Sequence, residues 1–143
     1  MNLIISKRME RPLAIKREDL SIYIVDDDES VLRSVRRLMR SAGYGNVATF
    51  ACAEDFLSGA VLKEPGLLIL DLLLPRMGGI DLYRHLRKEG RDIQTVFVSA
   101  LEKELERART ECTEALAFIQ KPFEKGDLIA AVRSASGRSA PKA

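Results

Sequence analysis

The stretch Ser21-Ile22-Tyr23-Ile24-Val25-Asp26-Asp27-Asp28 decides the fold. A short, mostly apolar run of strand-forming residues ends abruptly in three acids, and a helix-period segment follows at once. In that segment Val31, Leu32, Val35, Leu38, Met39 and Ala42 share one helical face, while Arg33, Arg36, Arg37 and Arg40 share the other. Asp28 or Ser30 is placed to cap this helix, and Gly43 to end it. Working outward, the alternation repeats. Residues 47–50 predict a second strand and 53–62 a second helix, stopped before Pro65 and Gly66. Residues 67–70 are apolar at every position, as in a strand covered on both faces. A helix over 79–89 ends at Gly90, and a strand follows over 95–98. A charged helix over 102–113, a strand over 116–120 and a helix over 125–134 complete the pattern. Five strands alternating with five helices predict a doubly wound parallel α/β sheet, with helices on both faces.

The chain has 143 residues, 46% of them hydrophobic and 31% charged, which is the length of one ordinary domain with its own core. No apolar run approaches the roughly 18 residues of a membrane-spanning helix. The N-terminus has no apolar stretch of signal-peptide length, so the expected location is the cytoplasm. Cys52 and Cys112 stand too far apart for a zinc pair and too few for a disulfide framework, and read as structural thiols. Net charge is +2, but residues 20–132 hold 15 bases against 18 acids. The basic surplus therefore sits in the ends, +2 in residues 1–19 and +3 in 133–143, and 1–19 and 137–143 read as tails flanking a domain over 20–136. A mildly acidic domain argues against nucleic acid as the main partner.

In a parallel sheet of this kind, sites form where the carboxyl ends of the strands meet. Asp26, Asp27 and Asp28 follow the first strand, Asp71 the third, Ser99 the fourth and Lys121 the fifth. Singly, each is an ordinary turn, cap or surface residue; jointly, they deliver carboxylates, a hydroxyl and an ammonium to one edge. Clustered carboxylates repel unless a cation compensates, and hard oxygen ligands suit Mg²⁺. A metal, a lysine and a hydroxyl around one carboxylate are a means of stabilising phosphoryl oxygens. The carboxylate itself can be the nucleophile, giving an aspartyl phosphate.

These residues carry a resemblance. The segments IVDDDE at 24–29, LILDLLLPRMGG at 68–79, VFVSA at 96–100 and IQKPF at 119–123 resemble the receiver domain of bacterial two-component response regulators. The likeness covers about four-fifths of the chain and implies a flavodoxin-like sheet in the order 2-1-3-4-5. By position it makes Asp71 the phosphoacceptor. Asp26 and Asp27 become the acidic pair, with Asp27 and the backbone carbonyl of Leu73 as Mg²⁺ ligands and Asp26 acting largely through water. Ser99 and Lys121 would each hold a phosphoryl oxygen. Ser99 and Phe118 would form the switch, and the peptide bond before Pro122 would be cis. The implied activity is acceptance of a phosphoryl group from a phosphohistidine on a sensor histidine kinase or phosphotransfer protein. The chain would catalyse only its own phosphorylation and slow dephosphorylation. Its modification would shift the face of the fourth helix, fifth strand and fifth helix toward a downstream effector protein. A second copy of the chain stands among the partners the resemblance implies, and the arginine face of the first helix as a docking surface for the kinase.

The sequence departs from that pattern in places. Leu73 and Leu101, two residues past Asp71 and Ser99, are apolar where polar side chains could orient a hydrolytic water, which predicts slow loss of the phosphoryl group. Glu114 stands where the family often has glycine, so the fourth helix continues or its turn differs. Phe118 lacks a hydroxyl. His85, the only histidine, falls on the third helix away from the strand ends. Leu3, Ile4 and Ile5 have no family counterpart. The segment after the last helix is too short for a helix-turn-helix, which favours a signalling module acting on another protein. The alternative is the receiver portion of a longer DNA-binding transcriptional regulator. A dehalogenase-like phosphohydrolase would want a second Asp where Leu73 stands. A receiver fold used only as an unphosphorylated scaffold would not need the acceptor residues, all of which are present.

Overall fold

A computed structural model of the chain describes residues 15–135. The expectations for residues 1–14 and 136–143, including Leu3, Ile4 and Ile5, concern positions outside the described residues. The elements are β1 (Ser21–Val25), α1 (Glu29–Ser41), β2 (Asn46–Phe50), α2 (Ala53–Gly59), β3 (Gly66–Asp71), α3 (Gly79–Lys88), β4 (Gln94–Ser99), α4 (Glu102–Glu111), β5 (Ala117–Gln120) and α5 (Lys125–Arg133). All strand pairs are parallel and the sheet order is β2-β1-β3-β4-β5. This is the doubly wound arrangement expected from the alternation.

The strand period divides the core into two layers. Ile22, Ile24, Leu67, Ile69, Val96 and Val98 point to one face, where Leu32, Val35 and Met39 of α1 and Leu128 and Val132 of α5 cover them. Tyr23, Val25, Leu68, Leu70 and Phe97 point to the other, under Phe56 of α2, Leu82 and Leu86 of α3 and Leu105 of α4. The arginine face of α1 is thereby left to solvent: Arg33, Arg36, Arg37 and Arg40 are all exposed.

Local chemistry sets the helix ends. Asp28 is the N-cap of α1, its Oδ1 accepting the Ser30 amide at 2.9 Å and the Ser30 hydroxyl at 2.8 Å. Gly43 follows α1 at φ +101°, a conformation cheap only for glycine. Two helices are shorter than their apolar periodicity predicts. Helix α2 stops at Gly59 rather than near residue 62. The chain beyond it is held by Tyr23, whose hydroxyl donates to the Val61 carbonyl and accepts the Lys63 amide, each at 2.9 Å. Helix α4 stops at Glu111 because Cys112, at φ −123°, turns into the core. Glu114 then lies in a turn rather than in a continued helix. Among the described residues Arg76 is the one non-glycine with positive φ, so the turn at Glu114 does without a left-handed residue. On the N-terminal side of Leu20, Ile15 packs against the α1–α5 layer, and the Glu18 carbonyl accepts a hydrogen bond from Asn46. Among the described residues no helix is long and apolar enough to cross a membrane.

Candidate functional site

Parallel register brings the carboxyl ends of β1, β3, β4 and β5 to one edge. Val25 pairs with Leu70, Asp71 with Val98, and Ser99 with Gln120. Asp26, Asp71, Ser99 and Lys121 arrive side by side from positions far apart in sequence. Asp26, Asp71 and Ser99 are buried, Lys121 is half-buried and Asp27 is exposed.

Carboxylate oxygens of Asp26, Asp27 and Asp71 lie within 4.8 Å of one another. The Lys121 ammonium donates to Asp26 Oδ2 at 2.7 Å and reaches Asp71 Oδ2 at 3.4 Å. The other oxygen of Asp26 accepts the Asp28 amide at 2.9 Å, and that of Asp71 accepts the Leu73 amide at 3.3 Å. Burial, with the neighbouring Asp26 charge, raises the Asp71 pKa from the ordinary 3.8 to about 6, more than Lys121 offsets. Burial alone would lower the Lys121 pKa, but the hydrogen bond to Asp26 and the charge of Asp71 outweigh it, and the net direction is upward. One ammonium therefore does not balance the carboxylates gathered here, and an all-oxygen set short of positive charge fits a hard divalent cation.

The backbone holds these groups in place. Leu72 donates to the Val98 carbonyl at 3.0 Å, fixing the end of β3 against β4. Lys121 donates its amide to the Ser99 carbonyl at 2.9 Å, and the Lys121–Pro122 bond is cis, as the Lys-Pro pair suggested. Glu64–Pro65 is also cis, which the sequence did not signal. The Ser99 hydroxyl accepts the Leu101 amide at 3.1 Å. Gly79 opens α3 directly behind Asp71: a Cβ there would meet the Asp71 carbonyl oxygen at 2.5 Å.

Phe118 lies beside β4, its ring stacked on Phe97 with centroids 5.8 Å apart. Leu73 and Leu101 are 44% and 51% exposed, large apolar side chains flanking the acidic edge. His85 stands apart on α3, next to Glu89 at 3.2 Å. Sequence reasoning missed two arrangements. Arg84 and Arg87 of α3 reach across to Glu111 and Glu114, and Arg109 of α4 lies over the Phe118 ring at 5.6 Å. The only sequence signal for the second was an acid and a base at Glu102 and Arg109, on one face of α4.

Comparison with known proteins agrees with this architecture. The family model described as the response regulator receiver domain matches residues 22–133. The chain is 38% identical over 114 residues to the response regulator protein TmoT of Ectopseudomonas mendocina, covering 80% of this chain and 51% of that protein. It is 29% identical over 123 residues to the transcriptional regulatory protein FixJ of Azorhizobium caulinodans, covering 86% and 58%. The crystal structure of FixJ-N superposes with a TM-score of 0.75 at 30% identity, over 87% of this chain and 98% of that one. The chain thus spans little more than half the length of the curated relatives it matches. With this sheet order and match, the chain belongs to the receiver-domain family of bacterial two-component response regulators.

Proposed function

We propose that the chain is a phosphorylation-controlled signalling receiver acting in the cytoplasm, in which Asp71 accepts a phosphoryl group from a phosphohistidine of a sensor histidine kinase or phosphotransfer protein. The observation that carries this reading is the convergence of Asp26, Asp27 and Asp71 with Lys121 at the carboxyl edge of the sheet. An Asp71 carboxylate oxygen attacks phosphorus, and the bond from phosphorus to the imidazole nitrogen breaks. The imidazole leaves with the electron pair. Asp26, Asp27, Asp71 and the Leu73 carbonyl are the residues that would hold Mg²⁺, which neutralises charge on the phosphoryl oxygens. Lys121 offers a second positive charge to those oxygens, and the buried Ser99 hydroxyl a hydrogen bond to one of them. The chain's own contribution is positioning and electrostatics. Modification then shifts the α4-β5-α5 face between two states, with Ser99 and Phe118 as the moving parts, and so controls an effector protein or a second copy.

The test is intact mass after incubation with Mg²⁺ and acetyl phosphate. The wild type gains one phosphoryl group, Asp71→Asn gains none, and chelator prevents the gain. Labelling of Asp71→Asn, or none of the wild type under conditions that label another receiver, overturns the reading. Leu73 and Leu101 also predict a long-lived product, because neither can orient water. Polar replacements, Leu73→Asn with Leu101→Gln, should shorten its lifetime by about tenfold, the scale set by water positioning.

A second reading has its own support: FixJ is named a transcriptional regulatory protein, and this chain covers 58% of it. On that reading the receiver governs a DNA-binding unit, and a helix-turn-helix encoded downstream in the same frame decides for it.

A further inference from the structure

We propose that Arg84 and Arg87 of α3 are positioning residues for α4: by clasping its carboxyl end they hold the helix in its unphosphorylated place and so slow phosphoryl transfer to Asp71. This deepens the receiver reading and rests on it.

Helix α4 is lightly anchored. Of its ten residues only Leu105 and Ala108 are buried, whereas α3, of equal length, buries Gly79, Ile80, Leu82, Tyr83 and Leu86. Its N-cap is Leu101, which offers no side-chain acceptor. The start of the helix rests instead on Ser99, whose hydroxyl accepts the Leu101 amide at 3.1 Å, while the Leu101 carbonyl takes the amides of Glu104 and Leu105. With so little apolar burial, charged side chains help decide where the helix lies. The carboxyl end is held in that way. Arg84 pairs with Glu111, and Arg87 Nη2 donates to Glu114 Oε1 at 2.6 Å. Glu114 belongs to the turn between α4 and β5. Arg87 is itself fixed from its own side: its guanidinium lies 5.5 Å from the Tyr83 ring centroid, and Nη1 is 3.7 Å from Asp92. Glu111 is shared with Arg107 of α4, whose Nε donates to it at 3.0 Å. The clasp therefore joins a well-buried helix to a lightly buried one.

Ser99 stands at one end of α4 and the clasp at the other. When Ser99 turns its hydroxyl to a phosphoryl oxygen on Asp71, the Leu101 amide loses its acceptor, and the first turn of α4 must seat itself elsewhere. A hydrogen-bonded helix of this length moves as a rod, about 15 Å long. Displacing its first turn is therefore felt at Glu111 and in the turn at Glu114, where the arginines of α3 resist. The clasp raises the cost of the displaced arrangement relative to the resting one, and so lowers the fraction of chains ready to accept a phosphoryl group. Its side chains are exposed enough for salt to weaken it.

The test is the initial rate of Asp71 labelling by acetyl phosphate and Mg²⁺, read by intact mass and expressed as variant over wild type. At about 0.05 M salt, Arg84→Gln and Arg87→Gln should each be labelled about two- to fivefold faster, the range that one exposed ion pair supplies. At about 0.5 M salt both ratios should fall to about one. Glu114→Gln should match Arg87→Gln, and the two changes together should be no faster than either alone. Arg91→Gln breaks a pair with Glu89 that joins no two helices, and its ratio should stay at about one throughout. Ratios of one or below at low salt, ratios that persist at high salt, or additive effects of Arg87→Gln and Glu114→Gln overturn the positioning role, whatever the variants do to stability. Hydrogen exchange in the unphosphorylated chain is the second arm. The amides of Glu104 and Leu105 should exchange faster in Arg87→Gln than in wild type, by a similar factor. A wild type that takes no phosphoryl group overturns the receiver reading instead. Exchange then judges the hold on α4 by itself: faster exchange in Arg87→Gln supports it, and unchanged exchange overturns it.

Discussion

Carboxylates meet cations in two places on this molecule, and the outcome differs. Along the α3–α4 surface, Arg84 pairs with Glu111 and Arg87 with Glu114, and these side chains are between 28% and 67% exposed. At the sheet edge, Lys121 pairs with Asp26 and Asp71, whose side chains are 2% and 7% exposed. On the surface, water and salt screen the charges, and a pair contributes at most about 1 kcal/mol. At the edge, Asp26 and Asp71 are shut off from solvent, and together with exposed Asp27 they face one ammonium. The surface cluster fastens two helices together. The buried cluster is left short of positive charge, and that shortage is what the proposed cation would make good. The same residue types become a clasp or a candidate site according to how much water reaches them.

The hardest blow to this contrast is Lys121→Ala. It leaves two buried carboxylates without their ammonium, and breaking a buried pair typically costs about 3 kcal/mol or more. Urea unfolding in chelator should show that loss near neutral pH, and Mg²⁺ should restore much of it. A loss below about 1 kcal/mol would mean that solvent screens the edge as it screens the surface.

Asp71→Asn sharpens the comparison through pH. A carboxyl whose pKa is raised on folding, here from 3.8 to about 6, supports the fold while protonated. That support is full below the unfolded value and is lost as pH rises through the folded one. Metal-free Asp71→Asn should therefore be more stable than wild type at about pH 7.5, by on the order of 1 kcal/mol after allowance for screening and for Lys121. The two should converge as pH falls to about 4. Thermal melts across that window measure it, and a gap independent of pH would remove Asp71 as its source.

The smallest effect belongs to the surface. Arg84→Ala should lower stability by about 0.5 kcal/mol, and about 0.5 M salt should erase most of the difference. A loss as large as that of Lys121→Ala would end the distinction between the two clusters.

Much of this was legible in the sequence because it depends on local pattern. Alternation gave the strands, the apolar run at Leu67 to Leu70 marked a central strand, and an acid, a hydroxyl or a lysine stood after each strand of the site. Boundaries failed where a distant residue intervened. Tyr23, on β1, ends the α2 region by taking Val61 and Lys63, and burial of Cys112 cuts α4 short. The Arg109 contact with Phe118 and the α3–α4 clasp were illegible for the same reason. They depend on how two helices lie on one sheet and which rotamers then meet, and neither is encoded in the period of a single segment.

Gly79 contributes no functional group, yet the alignment of Asp71 depends on it. With the Asp71 carbonyl oxygen 2.5 Å from where its Cβ would stand, and Leu72 Cα 2.9 Å away, no other residue fits without moving the backbone that carries Asp71. In inherited change, a mutation at this position registers first as a misaimed Asp71 carboxylate. A variant could keep every carboxylate and every charge described above and still lose the proposed function, because the one heavy atom it gained stands where the backbone of Asp71 must be.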